Sequence, residues 1–141
     1  MKLNVARADV WVTPVEDKVG GLAAKLEALA AAGVNLTFII ARRAPDHPGE
    51  GVVFLTPIRG AKQIRAATAA GFRKTTTQHS VCVDGGDKPG LGAKITAALA
   101  GAGINLRGLS TGVLGRKFVT YIALDSEDDA KKAVRVLKKL S

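Results

Sequence analysis

Few side chains in this sequence have the types and spacing that catalysis requires. Cys82 is the only cysteine, and it lies between two valines in a predicted strand, so we interpret it as a buried, unreactive thiol. His47 and His79 have no ligand or acid–base partner at a recognisable spacing. No Walker-type phosphate loop and no paired catalytic carboxylates are present. The sequence therefore predicts no catalytic residue, no metal site and no cofactor, and we expect a protein that is not an enzyme.

A duplicated segment carries a more specific pattern. Residues 17–20 (Asp-Lys-Val-Gly) correspond to residues 87–90 (Asp-Lys-Pro-Gly), and residues 32–36 (Ala-Gly-Val-Asn-Leu) correspond to residues 102–106 (Ala-Gly-Ile-Asn-Leu), all at one constant spacing without gaps. Chance composition could produce matching alanines, but hardly the aspartate, glycine and asparagine positions together. Since self-similarity at a fixed spacing indicates repeated structural units, the chain is predicted to contain two copies of one unit.

Each copy begins with the order strand, helix, strand, strand, helix. Leucines and an isoleucine recur at helical spacing after each turn and predict one buried face per helix: Leu22, Leu26 and Leu29 in the first copy, and Leu91, Ile95 and Leu99 in the second. The remaining elements follow from apolar runs and turn residues, and we expect strands at 10–15, 34–41, 51–56, 81–83, 104–113 and 117–124, and second helices at 61–70 and 127–140.

Local signals fix several helix ends. Gly33 and Gly103 follow the last helical positions, where glycine tolerates the positive φ that often ends a helix. Ser126 with Asp129 three residues later is typical of a capping box. Right-handed crossovers would place both helices of a copy on one face of an antiparallel sheet. The predicted fold class is α+β, with two tandem ferredoxin-like (βαββαβ) units.

The fourth strand of the second copy is missing from its expected place. Residues 72–77 supply a fourth strand for the first copy, but the second copy stops after its second helix. The constant spacing between the copies relates that missing strand to residues 1–7. We therefore predict domains at residues 1–78 and 79–141, with residues 1–8 exchanged to complete the second sheet, from the same chain or a neighbour.

The Asp-Lys-x-Gly turn, followed by a helix ending in Ala-Gly-(Val/Ile)-Asn-Leu, resembles the ACT domain family. The two copies cover almost the whole chain, and the second is closer to the family pattern. The first departs from it, since Val19 stands where the family prefers proline and Gly20 is followed by Gly21. The resemblance implies a regulatory module that binds a small effector, commonly an amino acid, where one turn faces a neighbouring unit.

The resemblance also implies which residues bind that effector. Glycine allows a close approach to the backbone, and the amides at a helix N-terminus favour a carboxylate. Asp87 or Asn105 would accept the effector's ammonium group, and Asn105 would donate to its carboxylate. The ligand-binding candidates are Asp87, Lys88, Pro89, Gly90, Leu91 and Asn105, with a weaker set at Asp17, Gly20, Gly21, Leu22 and Asn35.

Simpler structural roles remain open for the same residues. Asp17 and Asp87 could serve only to cap their helices, because aspartate is favoured near a helix start. Asn35 and Asn105 could serve only as turn formers. The lysines and arginines of the last helix could form a solvated face.

The net charge of +9 raises a different class of function. A ferredoxin-like sheet is also the frame of an RNA-recognition module, and nucleic-acid binding is the alternative that we keep. Residues 114–121 match the aromatic octamer of that module only partly, with Arg116 in a stacking position, so nucleic acid is not the expected partner. We expect a cytoplasmic protein without a membrane span, which binds an amino acid, forms a homodimer and has a regulated enzyme as a further partner.

Overall fold

The chain forms two compact units in the computed structural model, which describes residues 2–140. Residues 9–75 form one unit, here called the middle unit. Residues 2–8 and 76–140 form the other, here called the composite unit. The N-terminal residues thus belong to the same unit as the C-terminal part of the chain.

The elements alternate as the repeat predicts, with one extra strand at the start. In chain order they are β1 (Leu3–Ala8), β2 (Trp11–Glu16), α1 (Gly21–Ala31), β3 (Phe38–Arg43), β4 (Glu50–Thr56), α2 (Gly60–Ala69), β5 (Arg73–Lys74), β6 (His79–Gly86), α3 (Leu91–Gly101), β7 (Leu106–Leu114), β8 (Lys117–Leu124) and α4 (Glu127–Lys138). No helix within the described residues is both long and apolar enough to cross a membrane.

The middle unit has a four-stranded sheet in the order β3-β4-β2-β5, with every neighbouring pair antiparallel. Its fourth strand is short, since β5 pairs with β2 only through Arg73 and Lys74. The buried core between sheet and helices consists of Trp11, Leu29, Val53, Leu55, Ala67 and Phe72.

The composite unit has its sheet in the order β1-β6-β8-β7, again antiparallel throughout. All six residues of β1 pair with β6, from Leu3 opposite Gly85 to Ala8 opposite Ser80. Leu3 is 5% exposed and joins the core. That core is larger than the one in the middle unit and consists of Leu3, Val81, Val83, Leu91, Ile95, Leu99, Ile104, Phe118, Ile122, Leu124, Ala130, Ala133 and Leu137. The predicted α+β class with two ferredoxin-like units is confirmed.

The strands predicted at 34–41 and 72–77 have different bounds in the structure. The strand predicted at 34–41 begins only at Phe38, because Val34 and Leu36 pack against the core before the chain reaches the ladder. The strand predicted at 72–77 is limited to β5, since Phe72 is buried as a core residue at 2% exposure. In both places apolar residues in sequence mark burial rather than hydrogen-bonded pairing.

The predicted helix ends are largely confirmed. Gly33 and Gly103 have φ of 80° and 75°. The Ser126 hydroxyl accepts a hydrogen bond from the Asp129 amide at 3.0 Å, and three acidic residues occupy the first turn of α4. Both interactions favour a helix start. α2 has no side-chain cap at Arg59.

Candidate functional site

The two Asp-Lys-x-Gly turns adopt the same backbone geometry. Gly20 and Gly90 are the N-cap residues of α1 and α3, with φ of 83° and 82°. Residues that have a Cβ rarely adopt this left-handed backbone conformation. Neither helix has a side-chain cap. The interpretation of Asp17 and Asp87 as capping residues is therefore wrong, because each lies three positions before the N-cap.

The turn of the composite unit borders a cavity of about 190 Å³. The cavity lies between the start of α3 and the helix-facing side of β7 and β8. Its lining residues come from all three elements and from the turn: Asp87, Lys88, Gly90, Leu91, Gly92, Ile95, Leu109, Thr111, Val113, Phe118 and Thr120.

The polar side chains of this cavity are divided between its rim and its wall. Asp87 and Lys88 are exposed at the turn, and the described residues offer the Asp87 carboxylate no hydrogen bond or ion pair. In the wall, the Thr111 hydroxyl donates to the Val119 carbonyl at 3.0 Å, and the Thr120 hydroxyl donates to the Ser110 carbonyl at 3.2 Å. A ligand therefore meets free charges only at the rim.

The turn of the middle unit borders a larger cavity of about 330 Å³. Its lining is more strongly charged and consists of Pro14, Val15, Glu16, Lys18, Gly20, Gly21, Ala24, Lys25 and Glu50. A Cβ at Gly21 would overlap the Glu16 carbonyl oxygen, so the second glycine is required by a close backbone approach. Position 21 of the middle unit therefore requires glycine, whereas the corresponding position of the composite unit is Leu91.

Ionic contacts order the charged groups of the middle cavity. The Lys18 ammonium lies 2.7 Å from the Glu16 carboxylate. That hydrogen bond lowers the pKa of Glu16 and raises the pKa of Lys18. The Lys25 ammonium donates to the Ala70 carbonyl at 2.6 Å, at the C-terminal end of α2. The lining of this cavity therefore includes two lysines and two glutamates.

The sequence-based candidates divide into residues that line a cavity and residues that do not. Asp87, Lys88, Gly90 and Leu91 line the composite cavity, and Gly20 and Gly21 line the middle one. The other candidates lie outside both linings: Pro89, Asn105, Asp17, Leu22 and Asn35. Asp17 instead accepts a hydrogen bond from Arg43 at 2.9 Å. Asn35 and Asn105 are exposed.

Sequence reasoning missed the strand residues that form the far wall. Leu109, Thr111 and Val113 alternate along β7, so they share one face of the sheet. That period of two was a usable signal. Lys25, which lies one turn into α1, was also missed, because it follows the turn motif and belongs to no pattern shared by the two copies.

Cys82 lies on the other face of its strand from Val81 and Val83. Those two valines are fully buried, whereas Cys82 is half-buried. The expectation of a buried thiol is therefore only partly met. Burial raises the pKa of Cys82, and Asp84 adds to that effect while a hydrogen bond with Tyr121 opposes it. A raised pKa keeps the thiol protonated and poorly nucleophilic.

The aromatic octamer considered for RNA binding is divided between the two faces of the composite sheet. Phe118 is 5% exposed and points into the core, where it also lines the cavity. Val119 is 40% exposed on the opposite face. A stacking surface needs its aromatic rings together on the open face, and Phe118 is not available there.

Comparisons with known proteins agree with this description. The ACT domain family model matches residues 79–141. Among curated proteins, none matches the sequence significantly. Among solved structures, protein BT0572 from Bacteroides thetaiotaomicron has 20% identity and a TM-score of 0.78, with 96% of this chain and 90% of that chain covered.

Two aspartate kinase structures are also similar. The ligand-free regulatory subunit from Thermus thermophilus has 18% identity and a TM-score of 0.67, with 99% of this chain and 96% of that chain covered. E. coli aspartokinase III in complex with lysine and aspartate has 16% identity and a TM-score of 0.55, with 99% of this chain but 33% of that chain covered. The family match therefore lies in the composite unit, and both units have the ferredoxin-like fold of these regulatory subunits.

Proposed function

We propose that this chain is a cytoplasmic regulatory module, not itself an enzyme, that binds a free amino acid at its Asp-Lys-x-Gly turns. The observation that supports this most directly is that both turns, related by the repeat, open onto a cavity beside the start of a helix. The ACT domain match supports a regulatory role in binding a small molecule. The choice of an amino acid goes further and rests on the charges around each turn.

The turn of the composite unit offers both charges that a free amino acid requires. The unpaired Asp87 carboxylate can accept the α-ammonium group. Lys88 and the amides at the start of α3 favour the α-carboxylate. The ligand's side chain would then extend into the cavity.

A thermal-shift screen of the twenty amino acids on the full chain tests the proposal. A ligand that binds only the folded state raises the midpoint of unfolding. We expect at least one amino acid to do so, and nucleotides to have no effect. If no amino acid changes the midpoint at millimolar concentration, the proposed function is wrong.

Matched substitutions locate the site once a ligand is found. Asp87→Ala is expected to weaken binding about tenfold, because it removes a charged hydrogen-bond acceptor. Asp128→Ala, an exposed aspartate in the first turn of α4, is the control. Asn105→Ala should weaken binding only if a neighbouring unit brings the ligand to that exposed side chain. Equal loss from Asp87→Ala and Asp128→Ala would contradict the assignment.

The proposal includes a homodimer and a regulated enzyme partner. β7 is the edge strand of the composite sheet and carries exposed apolar residues, among them Leu109, Val113 and Leu114. A strand edge of this kind can pair with another chain. Sedimentation equilibrium should give twice the mass of one chain, and a monomer at every concentration would exclude this part of the proposal.

A further inference from the structure

We propose that the composite cavity selects an aliphatic amino acid, of the size of valine, leucine or methionine, and rejects amino acids with charged side chains. This inference rests on the proposed function, since it concerns which amino acid the same turn holds. It is carried by the chemistry of the cavity wall rather than by the turn.

The inner surface of the composite cavity is apolar. Leu91 and Phe118 are each 5% exposed and Ile95 is 1% exposed, so these side chains form a fixed floor. Leu109 and Val113 are 43% and 56% exposed at the open side, where they add two aliphatic side chains to the cavity wall. Covering these two side chains with an apolar ligand would remove exposed apolar surface from water, which favours binding.

The polar atoms of the wall give a charged side chain little to bind. The hydroxyl protons of Thr111 and Thr120 are already donated to backbone carbonyls. Each hydroxyl can only accept a further hydrogen bond. A ligand carboxylate would find no donor in the wall, and a ligand ammonium would find no carboxylate there. Burying either charge without a partner is costly.

The volume of the composite cavity is sufficient for an aliphatic side chain. The cavity measures about 190 Å³. An apolar cavity of roughly 150 Å³ can hold a six-carbon molecule such as benzene, whereas pockets for drug-sized ligands begin near about 300 Å³. A branched or linear side chain of three to four heavy atoms therefore fits, with the α-carbon at the rim.

The middle unit shows what this site would need for a charged ligand. At the position that the repeat aligns with Ile95, α1 has Lys25, which lines the middle cavity. At the position aligned with Leu91, it has Gly21. The same fold thus accommodates a polar cavity, and the composite unit has aliphatic side chains at both positions.

Thermal shift on the full chain tests the inference with leucine, methionine and valine against lysine and aspartate. At ligand concentrations about 100-fold above the dissociation constant, we expect the aliphatic amino acids to raise the midpoint on the order of 5 °C. Lysine and aspartate should cause no shift that Leu109→Trp, which blocks the composite cavity, removes. If lysine or aspartate raises the midpoint, Leu109→Trp removes that shift and the aliphatic amino acids have no effect, this inference is overturned while the proposed function stands.

Substitutions that fill the composite cavity with a tryptophan side chain test whether the ligand binds there. Leu109→Trp should abolish the aliphatic response, because the indole would occupy the cavity from its open side. Val119→Trp is the control, since Val119 is similarly exposed on the opposite face of the sheet. Val113→Trp is a second blocking variant in case Leu109→Trp does not fold, as judged by circular dichroism. An aliphatic response in a folded blocking variant equal to that of the wild type would place the ligand elsewhere and overturn the inference.

Discussion

The middle and composite units use the same turn to border cavities of different chemistry. The N-cap glycines have nearly identical φ, yet one cavity contains Lys25 and the other Ile95 at corresponding positions. The difference shows that the repeat preserves the backbone that presents the turn, whereas the lining side chains are free to change. Backbone geometry and the chemistry of the cavity lining are thus specified by separate residues.

The two units also differ in how their sheets are completed. β5 adds two paired residues to the middle sheet, whereas β1 adds six to the composite sheet. The middle unit compensates with Phe72, which is buried directly before β5. The composite unit depends on a segment that is distant in sequence.

Deleting residues 1–8 should have the largest effect and act on one unit only. The composite unit would lose the ladder with β6 and the buried Leu3 side chain, so its free energy of unfolding should fall by about 3 kcal/mol or more. The middle unit contains all its own strands and should keep its stability. Amide hydrogen exchange, read residue by residue, measures both.

The matching control removes the side chain alone. Leu3→Ala keeps the strand and should cost about 2–3 kcal/mol. Unchanged exchange rates across β6 after the deletion would show that β1 does not support this sheet.

Lys25→Met tests the charged contact that distinguishes the middle unit. Removing the ammonium group leaves the Ala70 carbonyl without its donor, so the free energy of unfolding should fall by about 1 kcal/mol. Chemical denaturation measures the change, with Lys62→Met, an exposed lysine on α2, as the control. Equal values for the two variants would mean that the Lys25 contact contributes nothing to stability.

The smallest expected effect concerns acid sensitivity of the composite unit. The Glu127 carboxylate accepts hydrogen bonds from both terminal nitrogens of Arg7, at 2.5 and 2.9 Å, and lies 3.3 Å from His79 Nδ1. The hydrogen bond from Arg7 is the main cause that lowers the pKa of Glu127 from 4.5 to about 2, and the charges of Arg7, His79 and Lys131 add to it.

A carboxyl group whose pKa is lowered by folding stabilises the folded state above its unfolded pKa. This contribution should therefore be present above pH 4.5 and be lost as the pH falls towards 2. Denaturant midpoints measured across that range should fall more for the wild type than for Glu127→Gln. Asp128→Asn should behave as the wild type does. Parallel pH profiles for wild type and Glu127→Gln would show that this contact does not contribute to the acid sensitivity of the composite unit.

The sequence was most informative where local signals repeat. The glycines after α1 and α3 and the Ser126 cap each depend on a few neighbouring residues, and each has the predicted backbone or bond. The position of β1 could be inferred only because the repeat lacked a strand. Local chemistry and duplication together therefore predicted the fold.

The cavity walls could not be predicted in the same way. Leu109 and Phe118 meet Ile95 only after two strands and a helix have packed, and no short-range pattern relates them. The strand predicted at 34–41 began late for a related reason, because apolar character in sequence does not distinguish core contacts from strand pairing. The family-derived asparagines remain predictions, since neither is among the lining residues of the cavity that borders the turn of its own unit.

The pairing of β1 with β6 has a consequence for how the chain folds during synthesis. β1 leaves the ribosome before the middle unit, whereas its partner β6 follows only after the whole of the middle unit has been made. Because domains can fold as they emerge, the middle unit can fold first. Until β6 has been made, β1 lacks its strand partner. During this interval its unpaired backbone groups can pair with other chains, which promotes aggregation.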